Sequence, residues 1–439
     1  MPVKVAIVGS GPSGFYTAAA LMERSDDVEI DIIDRLPTPF GLLRGGVAPD
    51  HQTTKKVSRA YEKTALSGPV RFWGNVEIGR DLSLDELRAM YDAVVLAIGS
   101  PRDRPLGIPG DDRQGVYGSA DFVGWYNGHP DFTDLAPDLN TKNVVVVGNG
   151  NVAIDIARVL VKTDAEMADT DIADHAARAI RAAPLTDVYM IGRRGPVEAK
   201  FTNVELREMG KLEEAAAIVD PAQLPATVEG DMSDRDKRLK ERNLATLREF
   251  TAQDPAGKPK RVHFAFYTRP VEVLGGARVE GLRCERTTVD AAGRSAGTGE
   301  FFDIPCGLLV AAIGYRADPI DGVPFDMAGG IVVHRDGRIA PGLYAVGWIK
   351  RGPTGVIGSN KPDGDQAAAQ VLEDSPRGIR PGRAALEKLL VGRGVKWVDY
   401  GGWKRIDAAE MAAARPGAPR RKFVRVADML SALGQTGAE

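Results

Sequence analysis

Residues 144–158 read VVVVGNGNVAIDIAR. The valine run fits a strand buried on both faces, the glycines fit a tight turn, and a helical pattern comes after them. The chain opens the same way, with VKVAIVGSGPSGFYTAAALM at residues 3–22. A glycine turn between strand and helix places oriented N–H groups where a dinucleotide pyrophosphate binds. Two such turns in one chain predict an α/β protein with two Rossmann-like dinucleotide-binding domains.

The two turns differ in their glycine pattern and in the residue that ends the next strand. The first is a full G-x-G-x-x-G built on Gly9, Gly11 and Gly14, with Ser13 inside it. Asp34 ends the next strand, VEIDIID, 20 residues past Gly14, where a carboxylate accepts from ribose hydroxyls. The second is the G-x-G-x-x-A variant: Gly148, Asn149, Gly150, Asn151, Val152 and Ala153. No acid ends its next strand, DVYMIGRRG; Arg193 and Arg194 stand there instead. A guanidinium pair there grips a 2′-phosphate bidentately, which is what separates NADP from NAD. The other reading of the pair is a solvated turn. Together the loops predict one resident dinucleotide, FAD, and one exchanging dinucleotide, NADP, with hydride passing between them where the domains meet.

Other stretches set the organisation. AVVLAIG at residues 93–99 reads as another buried strand. The runs at residues 261–275 and 277–290 alternate and are turn-bounded, as antiparallel strands are. Stretches around residues 100–107 and 315–324 are rich in Arg, Asp and Pro and read as two crossings between domains. The expected division is therefore residues 1–105 and 325–439 for the FAD domain, with a C-terminal tail, and residues 106–324 for an inserted NADP domain.

Composition narrows the partners. The chain has 439 residues, 27% of them charged, and a net charge of −3. Nothing global points to nucleic acid, and no apolar run approaches the ~20 residues of a membrane span. No charged segment leads into an apolar one at the start, so no secretory signal is read. Two distant cysteines, Cys284 and Cys306, exclude a CxxC redox pair and a Cys-held iron–sulfur or Cys₄ zinc site within the chain. They fit a reducing, cytoplasmic setting as small buried apolar residues. No metal site is read.

Several stretches, taken in order, resemble the adrenodoxin-reductase-type ferredoxin–NADP reductases. These are VAIVGSGPSGFY, PTPFGLLRGGVAPDH, VVVVGNGNVAIDIAR, IGRRGP, FTNVELRE and GWIKRGPTGVIGSNK. The resemblance runs from Val3 to about Lys361 and implies electron flow from NADPH through FAD to an iron–sulfur protein. It implies FAD contacts at Ser13, Asp34, Leu42 and Ile78, with Trp348 and the turn Gly355, Val356, Ile357 against the flavin ring. It implies an NADP site at Asn149 to Val152, Arg193, Arg194 and Glu205, with Arg104 as a weaker candidate and Gly355 admitting the nicotinamide. Many members have Glu where this chain has Asp34. His51 is implied to lie near the flavin edge with Glu208, and Asp155 to face the same region. A His–carboxylate pair there would move the proton that accompanies electron release; the alternative for His51 and Asp155 is packing and orientation.

The segment SDRDKRLKERN carries Arg235, Arg238 and Arg242 at spacings of three and four, on one helical face. The resemblance makes this the docking site for an acidic ferredoxin; a solvated face is the other reading, because Asp234, Asp236 and Glu241 interleave. Competing whole-chain readings are the flavin subunit of a glutamate-synthase-like complex, which normally brings N-terminal cysteines, and a nucleotide-binding redox sensor without catalysis. A flavin monooxygenase would leave GWIKRGPTGVIG unexplained.

Overall fold

The structure, a computed structural model, describes residues 1–375 and 378–434. Pro376, Arg377 and residues 435–439, parts of the expected tail, lie outside the described residues. The chain divides into two units: residues 1–102, 127–133 and 314–439 form the first, and residues 103–126 and 134–313 the second.

The first unit begins with β1 (Val3–Val8), α1 (Pro12–Arg24), β2 (Val28–Ile33), β3 (Val70–Trp73) and β4 (Ala93–Leu96). Proline is tolerated at the first turn of α1 because its missing N–H would have had no partner inside the helix. The strands pair in parallel, in the order β3-β2-β1-β4. Alternate residues serve opposite faces: Val5 and Ile7 pack with Phe15, Ala18 and Leu21 of α1, whereas Ala6 and Val8 pack with Leu87, Leu386 and Leu390. Burial on both faces is why β4 and Val5–Val8 of β1 read as unbroken apolar runs.

In the second unit the chain forms β5 (Val116–Gly118), β6 (Asn143–Val147), α2 (Asn151–Val161), β7 (Asp187–Ile191), α3 (Asn203–Glu208), β8 (Ala215–Val219) and α4 (Asp234–Thr251). It continues through β9 (Lys260–Ala265), β10 (Thr268–Leu274), β11 (Gly281–Val289), β12 (Ser295–Pro305) and β13 (Leu308–Ala311). Six strands make a parallel sheet in the order β5-β13-β6-β7-β9-β8, and β10-β11-β12 make a separate antiparallel sheet. The inner residues of that antiparallel sheet, Val273, Leu282, Cys284 and Ile304, pack on Val145, Val147 and Ile191. Back in the first unit, β14 (Arg338–Ala340) and β15 (Leu343–Ala345) extend the first sheet next to β4, and α5 (Lys361–Asp374) packs on α1.

Two expectations need correction. The run at residues 261–275 is not wholly antiparallel: its first half, β9, is parallel and internal to the large sheet. The run breaks at Tyr267, which has φ +51° and whose N–H donates to the Arg194 carbonyl at 3.1 Å. The domain boundaries also differ from 105/106 and 324/325. The first unit ends at Arg102 and resumes at Gly314, and it also claims residues 127–133. That short segment is tied to the first unit by side chains distant in sequence. Lys422 Nζ donates to the Asn127 carbonyl at 3.0 Å, Thr133 Oγ1 to the Val424 carbonyl, and Arg35 pairs with Asp131.

Among the described residues no helix is long and apolar enough to cross a membrane. Cys284 and Cys306 are buried free thiols, and burial pushes both up to about 12.

Candidate functional site

In the first unit each glycine of the loop meets a different constraint. Gly9 has φ +110°, and a Cβ on it would lie 2.5 Å from the Ala97 carbonyl oxygen of the neighbouring strand. A Cβ on Gly14 would lie 2.1 Å from the Gly9 carbonyl oxygen, so this glycine lets α1 pack against the loop. A Cβ on Gly11 would point into open space. Gly11 is therefore free of the protein's own packing, and its openness is what an approaching pyrophosphate requires. It is also the N-cap of α1, and no side chain caps that helix. The first-turn N–H groups have no competing internal acceptor, as an anion site demands.

Asp34 is held before any ligand arrives. Its Oδ2 accepts from the Ser10 N–H at 2.9 Å and from Ser10 Oγ, and its Oδ1 accepts from the Leu36 N–H at 3.0 Å. A carboxylate offers about four lone-pair sites, so ribose hydroxyls still have acceptors. Ser13 is buried and Ile78 half-buried. Leu42 and Val356 are exposed by 47% and 63%. Large apolar side chains left in solvent at two expected FAD positions suit a flat apolar ring laid over them.

The turn at residues 355–357 leads into the short helix Ile357–Asn360 and then α5. Gly355 has φ +84°, and a Cβ there would lie 2.2 Å from Ser359 Oγ. Its need for glycine is thus local geometry, a different reason from the admission of nicotinamide. Trp348 donates from Nε1 to the Thr354 carbonyl at 3.2 Å and stacks on Tyr315 with ring centroids 5.9 Å apart. Asp363, on α5, holds this region together. It accepts from Lys350 Nζ at 2.9 Å, from Arg351 Nε at 2.9 Å and from the Gly347 N–H at 3.2 Å. His51 is half-buried, at the start of the turn Gln52–Lys55.

The loop of the second unit repeats the geometry with changes. Gly148 has φ +149°, and a Cβ on it would lie 2.3 Å from the Ala312 carbonyl oxygen. A Cβ on Gly150 meets open space, and Gly150 caps α2 without any side-chain hydrogen bond. Asn149 Oδ1 is buried with no hydrogen-bond partner among the described residues. Asn151 Oδ1 accepts from the Thr202 N–H at 2.8 Å, and Val152 is half-buried in the first turn of α2. Arg193 is exposed and Arg194 half-buried, and among the described residues neither guanidinium forms a hydrogen bond or ion pair. Their backbones, in contrast, are fixed: the Arg193 carbonyl accepts from Thr287 Oγ1 at 2.8 Å and the Arg194 carbonyl from Tyr267. Open glycine cradles, uncapped helix starts and two unpaired guanidiniums all fit dinucleotide binding, with a phosphorylated ribose at the second loop.

The expected acids of this unit converge on Arg158, which is fully buried. It pairs with Asp155 at 2.9 Å and with Glu205 at 3.6 Å. Glu208 instead pairs with Lys211 at 2.8 Å. Arg104 is half-buried just beyond the first crossing. Arg235, Arg238 and Arg242 are all exposed on the first half of α4, and none forms an ion pair among the described residues.

The model of the family described as pyridine nucleotide-disulphide oxidoreductase matches residues 3–184. NADPH-ferredoxin reductase FprA of Mycobacterium tuberculosis is 41% identical over 450 residues, spanning 98% of this chain and 98% of that protein. Mitochondrial NADPH:adrenodoxin oxidoreductase of Homo sapiens is 41% identical over 452 residues, spanning 98% of this chain and 92% of that protein. A solved structure of Mycobacterium tuberculosis FprA in complex with NADPH superposes with a TM-score of 0.93, at 40% identity, over 99% of this chain and 100% of that one. The chain belongs to the family of NADPH–ferredoxin and adrenodoxin reductases.

Sequence reading missed three residues that this reductase fold relies on. Ser10 fixes Asp34, and its place next to Gly9 was the available signal. Arg158 gathers Asp155 and Glu205; its spacing of three from Asp155 on a helix was legible, its link to Glu205 was not. Asp363 lies just past the GWIKRGPTGVIGSNK motif, and only the three-dimensional pairing shows that it anchors Lys350 and Arg351.

Proposed function

We propose that the chain is an FAD-containing NADPH–ferredoxin reductase, an oxidoreductase that passes electrons from NADPH through FAD to a ferredoxin-type iron–sulfur protein. The observation that carries the reading is the unequal pair of glycine loops: one ends on a prearranged carboxylate, the other on two unpaired guanidiniums. Bound FAD supplies the conversion between a two-electron hydride donor and a one-electron acceptor.

The chain's own residues bind and orient. The first-turn N–H groups of α1, opened by Gly9, Gly11 and Gly14, receive the FAD pyrophosphate, and Asp34 accepts from its ribose. Ser13, Leu42, Ile78 and Trp348 line the rest, and the N–H groups at Gly355, Val356 and Ile357 stabilise negative charge at the ring edge. In the second unit Gly148 to Val152 receive the NADP pyrophosphate while Arg193 and Arg194 grip the 2′-phosphate. Glu205, Arg104 and Gly355 complete the coenzyme contacts. Asp155 and Glu205 are oriented by the buried Arg158 guanidinium, at 2.9 and 3.6 Å. Hydride transfer needs no acid or base, but passing electrons on singly releases a proton, and His51, Asp155 and Glu208 are the groups assigned to move it.

The partner is an acidic ferredoxin, steered by the unpaired cations at the start of α4. Two reduced, buried cysteines suit a cytoplasmic location. The test is direct. Purified protein should be yellow, NADPH should bleach it anaerobically far faster than NADH, and cytochrome c reduction should require added ferredoxin. Colourless protein with folded circular dichroism would sink the reading.

A further inference from the structure

Lys240 lies on α4 just beyond Arg235 and Arg238, but its side chain runs inward. Its Nζ donates to the Ala199 carbonyl at 2.6 Å, and no carboxylate pairs with it among the described residues. Burial lowers its pKa first and Lys200 next; Glu198 and Asp236 pull the other way, and Arg194 adds the smallest push downward. Those two carboxylates are already engaged. Glu198 Oε2 accepts from the Gly195 N–H at 3.0 Å, and Asp236 accepts from Ser233 Oγ at 2.8 Å in the helix cap. The half-buried Lys240 ammonium is therefore held near the exposed Lys200 and the half-buried Arg194.

The loop carrying the arginine pair is fixed at both ends. At its start the Arg193 and Arg194 carbonyls accept from Thr287 and Tyr267. At its end the Lys200 N–H donates to the Asn149 carbonyl at 2.7 Å, and Lys240 holds Ala199. So Lys240 ties α4 to the loop that bears Arg194, and adds its cation to those of Arg194 and Lys200.

We propose that Lys240 is a specificity-determining residue for the 2′-phosphate of NADP(H), adding positive charge near Arg194 and fixing the loop that carries Arg193 and Arg194. The proposal rests on the reading of the arginine pair as the 2′-phosphate site. A phosphate near −2 attracts these cations beyond what Glu198 and Asp236 supply, whereas a ribose 2′-hydroxyl does not. The selectivity therefore resides in charge already assembled before the coenzyme arrives.

The experiment titrates flavin-loaded Lys240→Met, Lys240→Arg and the double variant Arg193→Ala/Arg194→Ala with 2′,5′-ADP and with 5′-AMP. Lys240→Met should weaken 2′,5′-ADP by about tenfold, as loss of a charge-assisted interaction does, and change 5′-AMP by less than about twofold. Lys240→Arg should restore most of the loss. The phosphorus NMR signal of the bound 2′-phosphate should shift in Lys240→Met relative to wild type. Equal weakening of both nucleotides, or none, would overturn the proposal. If the double variant also leaves 2′,5′-ADP unaffected, the arginine reading itself fails; if only Lys240→Met is silent, the arginine reading stands and Lys240 has no part in it.

Discussion

The loops at Gly9 and Gly148 solve the same problem with different reserves. In both, the first glycine is forced by a carbonyl of the adjacent strand, from Ala97 in one and Ala312 in the other. In both, the second glycine faces open space. They part at the third position, where Gly14 leaves no room for a methyl group and Ala153 is accommodated, fully buried. They part again at the strand end. Asp34 is fixed by hydrogen bonds to Ser10 and Leu36, so little freedom is lost when a ribose arrives. Arg193 and Arg194 have fixed backbones and, among the described residues, unpaired side chains, so binding must order them. A preorganised loop suits a resident cofactor, and a loop whose charged side chains await their partner suits one that exchanges.

The sharpest way to break this contrast is at the arginines. Arg193→Ala/Arg194→Ala should raise KM for NADPH by well over tenfold, since each lost charge-assisted contact costs about 1.5–3 kcal/mol. NADH kinetics should barely change. Equal weakening of both coenzymes would make the pair structural, and the loops would then differ only in backbone.

The third loop position comes next. Gly14→Ala should cost about 1–3 kcal/mol through overpacking against the Gly9 carbonyl, read as a lower melting temperature and a reduced flavin-to-protein absorbance ratio. The reciprocal change, Ala153→Gly, should cost about 1 kcal/mol from backbone entropy and leave flavin content alone. A Gly14→Ala protein with full flavin and unchanged melting would mean that the first loop is as roomy as the second.

Gly355→Val probes the first unit away from its loop. Its φ of +84° disfavours any side chain, and Ser359 Oγ crowds the Cβ position. The strain is about 1–2 kcal/mol, so flavin should remain bound while stopped-flow reduction by NADPH slows severalfold. Normal reduction would show that the turn tolerates the strain and that its geometry does not limit the reaction.

Much of this contrast was legible in the sequence, because it depends on local order: strand, glycines, helix, then a charged residue at the next strand end. GxGxxG against GxGxxA already held the difference between Gly14 and Ala153. What was not legible depends on partners far apart in the chain. Nothing near residues 127–133 announces that Lys422 and Val424 will hold them in the first unit. Asp155 and Glu205 were found as separate candidates, and only the buried Arg158 shows that they share a guanidinium. Tyr267 looked like one more alternating residue until its positive φ divided the run around it between two sheets. Periodicity specifies which face a residue takes; it does not specify which charge it meets there.

The smallest effect tests whether α4 adds a partner site to the unit that already reads NADPH. Arg235, Arg238 and Arg242 are exposed, and none of the three forms an ion pair with the interleaved acids among the described residues. Each exposed pair with a partner carboxylate is worth only about 0–1 kcal/mol, so the test replaces all three with Glu. Steering acts on the association rate. At low ionic strength ferredoxin reduction should therefore slow clearly, and the loss should shrink as salt brings the screening length toward about 8 Å. Flavin reduction by NADPH and activity with a small uncharged acceptor should stay near wild type, since neither step uses this surface. Stopped-flow at low and high salt reads both. Unchanged ferredoxin kinetics at low salt would place docking elsewhere. An equal loss with the small acceptor would instead trace the defect to the second unit itself, because α4 also carries Lys240, which holds the loop bearing the arginine pair.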